Sequence, residues 1–110
     1  MNRALANSVD QQIWQVVSQI PPGKVASYGD VAGYASLPGA ARRVGFALRK
    51  LPDNSQIPWF RVVNSAGRIS LPQGSTAYFR QKSRLEADGV ELGPNDRIDL
   101  KRYRWRPGQG

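Results

Sequence analysis

The sequence contains neither cysteine nor histidine. Without these residues the chain cannot form disulfides, Cys/His zinc sites, Ser-His triads or Cys-His pairs. Its eight carboxylates are scattered along 110 residues, so they predict no clustered magnesium site. The usual general base at neutral pH is also missing. These absences argue against an enzyme, and we expect neither a metal nor a cofactor, although catalysis by Asp, Glu, Lys or Tyr is left open.

Long apolar runs are missing as well. No segment approaches the length needed to span a membrane, and the start, "MNRALANSVDQQ", lacks the apolar stretch of a signal peptide. We therefore expect an intracellular protein with no membrane partner. A chain of 110 residues that is 40% hydrophobic and 22% charged is typical of one globular domain, here residues 1–110.

Positive charge is in excess. Sixteen Lys and Arg residues face eight Asp and Glu residues, which gives a net charge of +8. This balance is typical of proteins that bind phosphates. A basic surface with no nucleic-acid partner is the alternative that composition leaves open.

Hydrophobic spacing predicts a mainly helical fold. Ser8 to Gln11 has the form of a capping box before a first helix, which Pro21-Pro22-Gly23 ends. Ser27 is expected to cap a second helix that ends before Leu37. A third helix runs through "GAARRVGFALRKL". Two helices joined by a glycine-containing turn, the second rich in arginine, predict a helix-turn-helix. The apolar face of the first helix is expected to contain Val9, Ile13, Val16, Val17 and Ile20. The buried side of the third helix is expected to contain Val44, Ala47, Leu48 and Leu51, and a different side Arg42, Phe46 and Arg49, which are four and three residues apart.

The second half contains weaker signals. Val62-Val63 and Arg68-Ile69 flank a turn-forming segment, which predicts a small hairpin or a tight turn. A loop over residues 71–75 precedes a fourth helix over residues 76–87, with Tyr78 and Leu85 packed inside. The tail, residues 97–110, alternates basic and aromatic residues. Packing of Trp105 against the domain is favoured over an extra contact with DNA or protein. The predicted fold class is mainly α with a small extended or hairpin patch.

Three motifs carry a family resemblance. "GKVASYGDVA", "AARRVGFALR" and "IPWFRVV", in this order and spacing, resemble the C-terminal domain of O6-alkylguanine-DNA alkyltransferases over roughly residues 9–92. The third motif of those repair enzymes reads Pro-Cys-His-Arg-Val. Their cysteine takes the alkyl group, and their histidine activates it with help from a glutamate. Here Trp59, Phe60 and Asp88 stand at the cysteine, histidine and glutamate positions. A tryptophan in place of the acceptor is what the alkyltransferase-like proteins carry, and the chain resembles them.

The resemblance implies a winged-helix-like helix-turn-helix domain that binds O6-alkylguanine in double-stranded DNA without alkyl transfer. Indole nitrogen is not a nucleophile at neutral pH, and phenylalanine cannot accept a proton. Arg42 corresponds to the arginine finger, which fills the gap left by a flipped nucleotide, and Tyr28 to the tyrosine that pushes the nucleotide out. The third helix would lie in the minor groove, where the DNA-binding residues would be Tyr28, Ala41, Arg42, Arg43, Gly45, Phe46, Arg49 and Lys50.

The lesion pocket implied by the resemblance has a lid at "SLPQGS". Arg61 is expected to support this pocket rather than to touch the base. Leu51 replaces the asparagine that braces the active-site turn in the enzymes, so we expect packing to hold that turn. Arg43 and Phe46 replace small residues, and whether they strengthen or weaken the fit to DNA is open. The pocket residues would be Tyr28, Trp59, Arg61, Val62, Val63, Gln73 and Gly74.

The resemblance also implies handover of the lesion to nucleotide excision repair, through a UvrA-type protein if the source is bacterial. The resemblance further implies a monomer, and in a bacterium the protein would be cytoplasmic and nucleoid-associated. One alternative is a general helix-turn-helix regulator without lesion specificity. A second is a lyase or glycosylase that uses Lys24 as nucleophile, assisted by Asp30 or Asp88.

Overall fold

The structure, a computed structural model, describes residues 8–108. The expected absence of a signal peptide concerns mainly residues outside this range, and the Ser8 capping box depends on a side chain that is not described. Within this range the chain forms five helices and two short strands, with 3₁₀ turns at Trp59–Arg61 and Pro94–Asp96. The helices are α1 (Ser8–Ser18), α2 (Tyr28–Tyr34), α3 (Ala41–Arg49), α4 (Thr76–Ala87) and α5 (Leu100–Tyr103), and the strands are β1 (Ala26–Ser27) and β2 (Val62–Val63).

Helices α1, α2 and α3 form the first half of the protein. The apolar stripe of α1 is buried as predicted, with Ile13 and Val17 fully enclosed. The indole of Trp14 donates a hydrogen bond of 2.8 Å to the Ala47 carbonyl, which ties α1 to α3. None of the helices in residues 8–108 is long and apolar enough to cross a membrane.

Helix α2 begins with the predicted cap. The Ser27 hydroxyl accepts a hydrogen bond from the Asp30 amide at 3.0 Å, and the Asp30 carboxylate accepts one from the Ser27 amide at 3.2 Å. This reciprocal pair satisfies two amides that the first turn of a helix leaves free. It also fixes the backbone at Tyr28, the first residue of α2.

The prediction for the buried side of α3 is right in part. Val44 and Ala47 are fully buried, whereas Leu48 and Leu51 are only half-buried. Helix α3 ends at Arg49, so Leu51 lies beyond the last turn and no longer follows the helical face.

The strand pairing differs from the predicted hairpin. Strand β2 pairs in parallel with β1, Ala26 opposite Val62 and Ser27 opposite Val63, and all four residues are buried. The tight-turn alternative is confirmed, because the Asn64 amide donates to the Arg68 carbonyl at 2.9 Å and the Asn64 side chain accepts from the Ala66 amide. Parallel strands are usually covered on both faces, which fits the apolar pair at residues 62–63.

The second half packs on the other side of the strands. Tyr78 and Leu85 of α4 are buried as predicted, together with Phe60. The tail closes the sheet, because the Val25 amide donates to the Tyr103 carbonyl at 2.9 Å and the Trp105 amide donates to the Val25 carbonyl at 2.8 Å. The prediction that Trp105 packs against the domain is therefore confirmed. Its ring is half-buried and meets the Tyr34 ring edge-on at 5.5 Å.

Candidate nucleic-acid interface

A cleft of about 840 Å³ lies between α3, the segment before α4, and the turn that leads into β2. Trp59 and Val62 lie along one wall, with Tyr28 from the start of α2 and Gln81 from α4. Ser70, Leu71, Pro72 and Ala77 line the side opposite α3. Helix α3 contributes the longest series of lining residues, which are Ala41, Arg42, Gly45, Phe46, Leu48 and Arg49.

The cleft-facing side of α3 combines small, aromatic and cationic residues. Arg42, Phe46 and Arg49 follow the predicted spacing of four and three residues, so they share one face of the helix. The Phe46 ring is 51% exposed, and the Arg49 guanidinium lies 5.1 Å from its centre. A Cβ atom at Gly45 would be 4.0 Å from the Tyr28 ring, an ordinary van der Waals contact, so this part of α3 lies directly beside the tyrosine.

Two basic residues, Arg43 of α3 and Lys50 directly after it, lie elsewhere. The Lys50 ammonium is 2.9 Å from the Asp10 carboxylate of α1, and the Arg43 guanidinium is 3.7 Å from it. Neither residue lines the cleft. The structure therefore places Arg43 and Lys50 toward α1, away from the surface on which Arg42 lies.

The turn at Trp59–Arg61 presents one aromatic ring to the cleft and buries the next. Trp59 is half-buried, whereas Phe60 is buried and meets the Trp59 ring edge-on at 5.9 Å. The buried Gln81 amide donates to the carbonyls of Phe60 and Val62, both at 3.0 Å. Our expectation that packing alone holds this turn was therefore wrong. Gln81 is a polar residue on the buried face of α4, and that mismatch was the signal that could have identified it.

Arg61 holds the turn from the side opposite the cleft. Its guanidinium makes two hydrogen bonds to the Asp88 carboxylate, at 2.7 and 3.0 Å, and a third to the Ile20 carbonyl at 2.9 Å. Both side chains of this ion pair are nearly buried, 13% and 11% exposed. Arg61 does not line the cleft, and Val63 is fully buried. Neither residue therefore borders the space expected for a base.

Comparison with known proteins gives the family. Residues 8–90 match the family described as "6-O-methylguanine DNA methyltransferase, DNA binding domain". The chain is 40% identical to Alkyltransferase-like protein 1 of Schizosaccharomyces pombe, over 87% of this chain and 93% of that protein. The chain belongs to this family, among its alkyltransferase-like members. It is also 50% identical to a protein named DNA base-flipping protein from Vibrio parahaemolyticus, over 87% of this chain and 94% of the relative.

Solved structures of an alkyltransferase-like protein share the fold. The crystal structure of S. pombe Atl1 with damaged DNA containing O6-carboxymethylguanine matches with a TM-score of 0.85 and 38% identity. The match covers 92% of this chain and 97% of that one. A second structure of the S. pombe protein, in complex with DNA, gives a TM-score of 0.82. The predicted fold class, a mainly helical alkyltransferase-type DNA-binding domain, is confirmed.

The loop before α4 lines the cleft with other residues than those predicted. Leu71 and Pro72 line the cleft, whereas Gln73 and Gly74 lie outside its lining. Ser75 caps the start of α4, because its hydroxyl accepts a hydrogen bond from the Tyr78 amide at 3.1 Å. Gly74, with φ of +85°, forms the turn before it. Ser70, the first residue of the predicted lid, was not among the predicted pocket residues, yet it lines the cleft and its hydroxyl is 2.8 Å from the Tyr28 hydroxyl.

An ion pair joins the tail to the first turn of α2. The Arg104 guanidinium bonds both oxygens of the Asp30 carboxylate, at 3.0 and 2.6 Å. Burial alone would raise the pKa of Asp30, but the hydrogen bonds from Arg104 and from the Ser27 amide outweigh it and lower that pKa. The stabilisation that Asp30 contributes is therefore present above its ordinary pKa and is lost as the pH falls through the lowered value.

The residues of the enzyme alternative do not form a site. The Lys24 ammonium donates to the Arg102 carbonyl at 3.4 Å and does not line the cleft. Asp30 and Asp88 are each paired with an arginine. A lysine nucleophile needs an adjacent base, and neither of these carboxylates is free to serve Lys24 as one.

Proposed function

We propose that this chain binds O6-alkylguanine in double-stranded DNA, flips the damaged nucleotide into the cleft, and does not transfer the alkyl group. The observation that carries the proposal is Trp59, a side chain without a nucleophile, on the wall of a cleft bordered by Arg42 and Tyr28. The S. pombe relative crystallised with DNA containing O6-carboxymethylguanine supports the choice of ligand.

Binding without chemistry is energetically reasonable. Flipping a base costs a few kcal/mol, and less when the base is damaged and pairs poorly. Contact of the alkylated base with the Trp59 ring would contribute about 1–3 kcal/mol, as for bases that stack on aromatic side chains. Selectivity then comes from easier flipping and from fit to the cleft, while Arg42 and Arg49 contact phosphates or bases whatever the sequence.

In this proposal the chain is not an enzyme. The full sequence has no cysteine to accept the group and no histidine to activate one. The carboxylate at the family's glutamate position, Asp88, is occupied by Arg61. The protein acts as a monomer, and its long-lived complex marks the lesion for nucleotide excision repair, through a UvrA-type damage sensor if the source is bacterial.

The test is a titration against two matched duplexes that contain guanine or O6-methylguanine at one position. We expect tighter binding to the lesion, together with a change in tryptophan emission that disappears in Trp59→Phe. Digestion of the DNA after prolonged incubation should recover every O6-methylguanine intact.

Two outcomes would contradict the proposal. Equal affinity for both duplexes would leave a general DNA-binding domain on an alkyltransferase-type fold, and preference for one operator sequence would favour the regulator. Recovery of guanine in place of O6-methylguanine would show that transfer occurs without a cysteine.

Phe46 offers a separate prediction about DNA bending. Its ring is 51% exposed on the cleft side of α3, one turn after Arg42, where an apolar ring can wedge between base steps. We expect Phe46→Ala to reduce the bend of a bound duplex, measured by energy transfer between dyes at its ends. We also expect it to weaken binding by about tenfold, because the inserted ring offsets part of the few kcal/mol that unstacking a base step costs.

Phe79 provides the matched control for this experiment. It is 54% exposed, lies on α4 and does not line the cleft. Phe79→Ala removes the same apolar area, so its DNA complex should keep the wild-type bend. If both variants bend DNA equally, Phe46 is not a wedge.

A further inference from the structure

A second cleft, of about 450 Å³, lies at the tail and is strongly basic. Pro21, Trp105, Pro107 and Gly108 complete its lining, and no carboxylate is among the lining residues. We call its cations the tail patch, and they are Lys24, Lys101, Arg102, Arg104 and Arg106.

Part of the charge of the tail patch is already compensated. Arg104 is paired with Asp30, and Arg102 with Glu91 at 2.7 Å. Both members of the Arg102–Glu91 pair are largely exposed, 63% and 73%, so water and salt screen their attraction. Lys101 and Arg106 have no carboxylate partner within residues 8–108, which leaves the cleft with an excess of positive charge that favours an anion.

The chemistry of the cleft favours phosphates over an acidic protein. Protein partners are held mainly by an apolar centre, and the one large apolar side chain here, Trp105, is already packed edge-on against Tyr34. Arginine and lysine side chains without an apolar anchor are the usual contacts of the sugar-phosphate backbone. Guanidinium groups suit phosphate in particular because they bind it through two hydrogen bonds.

The position of the tail patch indicates which phosphate groups it would bind. Lys24 precedes Tyr28 by four residues, and extended backbone including β1 joins them, so their Cα atoms are at most about 13 Å apart. That separation corresponds to about four base-pair steps along DNA. The two clefts share no lining residue, and the Arg104–Asp30 pair fixes the tail to the helix that carries Tyr28.

We propose that the tail patch binds the sugar-phosphate backbone of the same duplex whose damaged base occupies the cleft, outside the segment that the cleft covers. The inference rests on the proposed function in one respect, that DNA occupies the cleft. It adds a second contact whose strength depends on the length of the DNA and not on the lesion.

The experiment compares a duplex of about two and a half helical turns, with guanine or O6-methylguanine at its centre, with two shorter duplexes in which that base lies about three base pairs from one end or from the other. Because the tail patch lies at most about four base-pair steps from the cleft, one of the shorter duplexes ends before it. Lys101→Gln/Arg106→Gln should lose about tenfold or more in affinity for the long duplex, and its salt slope should be smaller by about two, since each phosphate contact contributes about 0.9. Its affinity for the shorter duplex that ends before the tail patch should match that of the wild type.

A control variant removes the same charge elsewhere. Arg68 and Arg97 are exposed and line neither of these two clefts but a neighbouring one, which they share with Lys101 and Arg102. Arg68→Gln/Arg97→Gln therefore tests whether the effect is confined to the tail patch, and it should keep the wild-type preference for the long duplex. The proposal is overturned if this control loses as much, or if the tail variant weakens on both lengths equally. It is also overturned if the tail variant binds DNA normally but loses affinity for poly-glutamate, which would assign the patch to an acidic protein.

Failure of the proposed function would look different. The ratio of affinities for damaged and undamaged duplexes, taken from the same titrations, reports on the lesion alone. A length effect without lesion preference would support the tail patch and contradict lesion recognition. Lesion preference without a length effect would do the reverse.

Discussion

Replacing Asp88 with asparagine should destabilise the protein by about 3–5 kcal/mol, the usual cost of removing one partner from a buried ion pair. The Arg61 guanidinium would stay nearly buried without a counter-charge. Arg61 also donates to the Ile20 carbonyl just after the end of α1. The variant would therefore also weaken the contact between this segment and the Trp59–Arg61 turn. Thermal unfolding followed by circular dichroism should show a decrease in Tm of more than about 10 °C.

The Arg102–Glu91 pair provides the control for this prediction. Its N–O distance, 2.7 Å, is the same, but both side chains are largely exposed. Glu91→Gln should therefore cost less than about 1 kcal/mol. If Asp88→Asn is as mild as Glu91→Gln, the Arg61–Asp88 pair does not hold the turn. The double variant Arg61→Met/Asp88→Leu should recover part of the loss, because it leaves no buried charge unpaired.

Replacing Arg42 with alanine should weaken binding to O6-methylguanine DNA by about 30-fold, while the fold is unchanged. Arg42 is exposed at the edge of the cleft and has no ion-pair partner within residues 8–108. If the Arg42 guanidinium fills the gap in the flipped duplex, the variant loses both a positive charge near the phosphates and a planar group that stacks on bases. Together these contribute about 2 kcal/mol when the site is desolvated. Affinity is measured by anisotropy, and flipping by 2-aminopurine emission next to the lesion.

Arg43 is the matched control because it is the next residue of α3 and carries the same charge, yet it is directed toward Asp10. Arg43→Ala should lower the affinity by no more than about threefold, the cost of one exposed charge. Arg42→Lys keeps the charge without the plane, so it should restore long-range attraction but not the 2-aminopurine signal. Equal losses from Arg42→Ala and Arg43→Ala would show that only net charge matters.

Local signals predicted most of the helical part of the fold. The Ser27–Asp30 cap and the Pro21-Pro22-Gly23 stop depend on residues a few positions apart, so the sequence alone contains them. The strand pairing depends on residues 36 positions apart, and the short segment Val62-Val63 has no alternating pattern from which its partner strand could be predicted. The turn at Asn64 looks the same from sequence in a hairpin and in an isolated tight turn, which is why the sequence left both alternatives open and only the structure shows the tight turn.

The cleft shows the same division. Helical spacing alone predicted that Arg42, Phe46 and Arg49 share one face. It could not predict the contributions of Ser70 and Ala77, because they depend on how the second half packs against α3. It also could not show that Arg43 and Lys50 share a carboxylate on another helix. The family resemblance placed Trp59 and Tyr28 in the site because it carries information about tertiary contacts that spacing lacks.

The closure of the sheet by the tail has a consequence for the order of folding. Residues 103 and 105 bond to Val25, almost 80 positions earlier, so this contact has a very high contact order. During synthesis α1, α2 and α3 emerge and can pack long before the tail is made. The strand that leads into Tyr28 then has one edge open until residues 103–105 are made. All residues that line the cleft precede the tail, so a nascent or truncated chain would present the cleft before the tail holds the strand that leads into Tyr28.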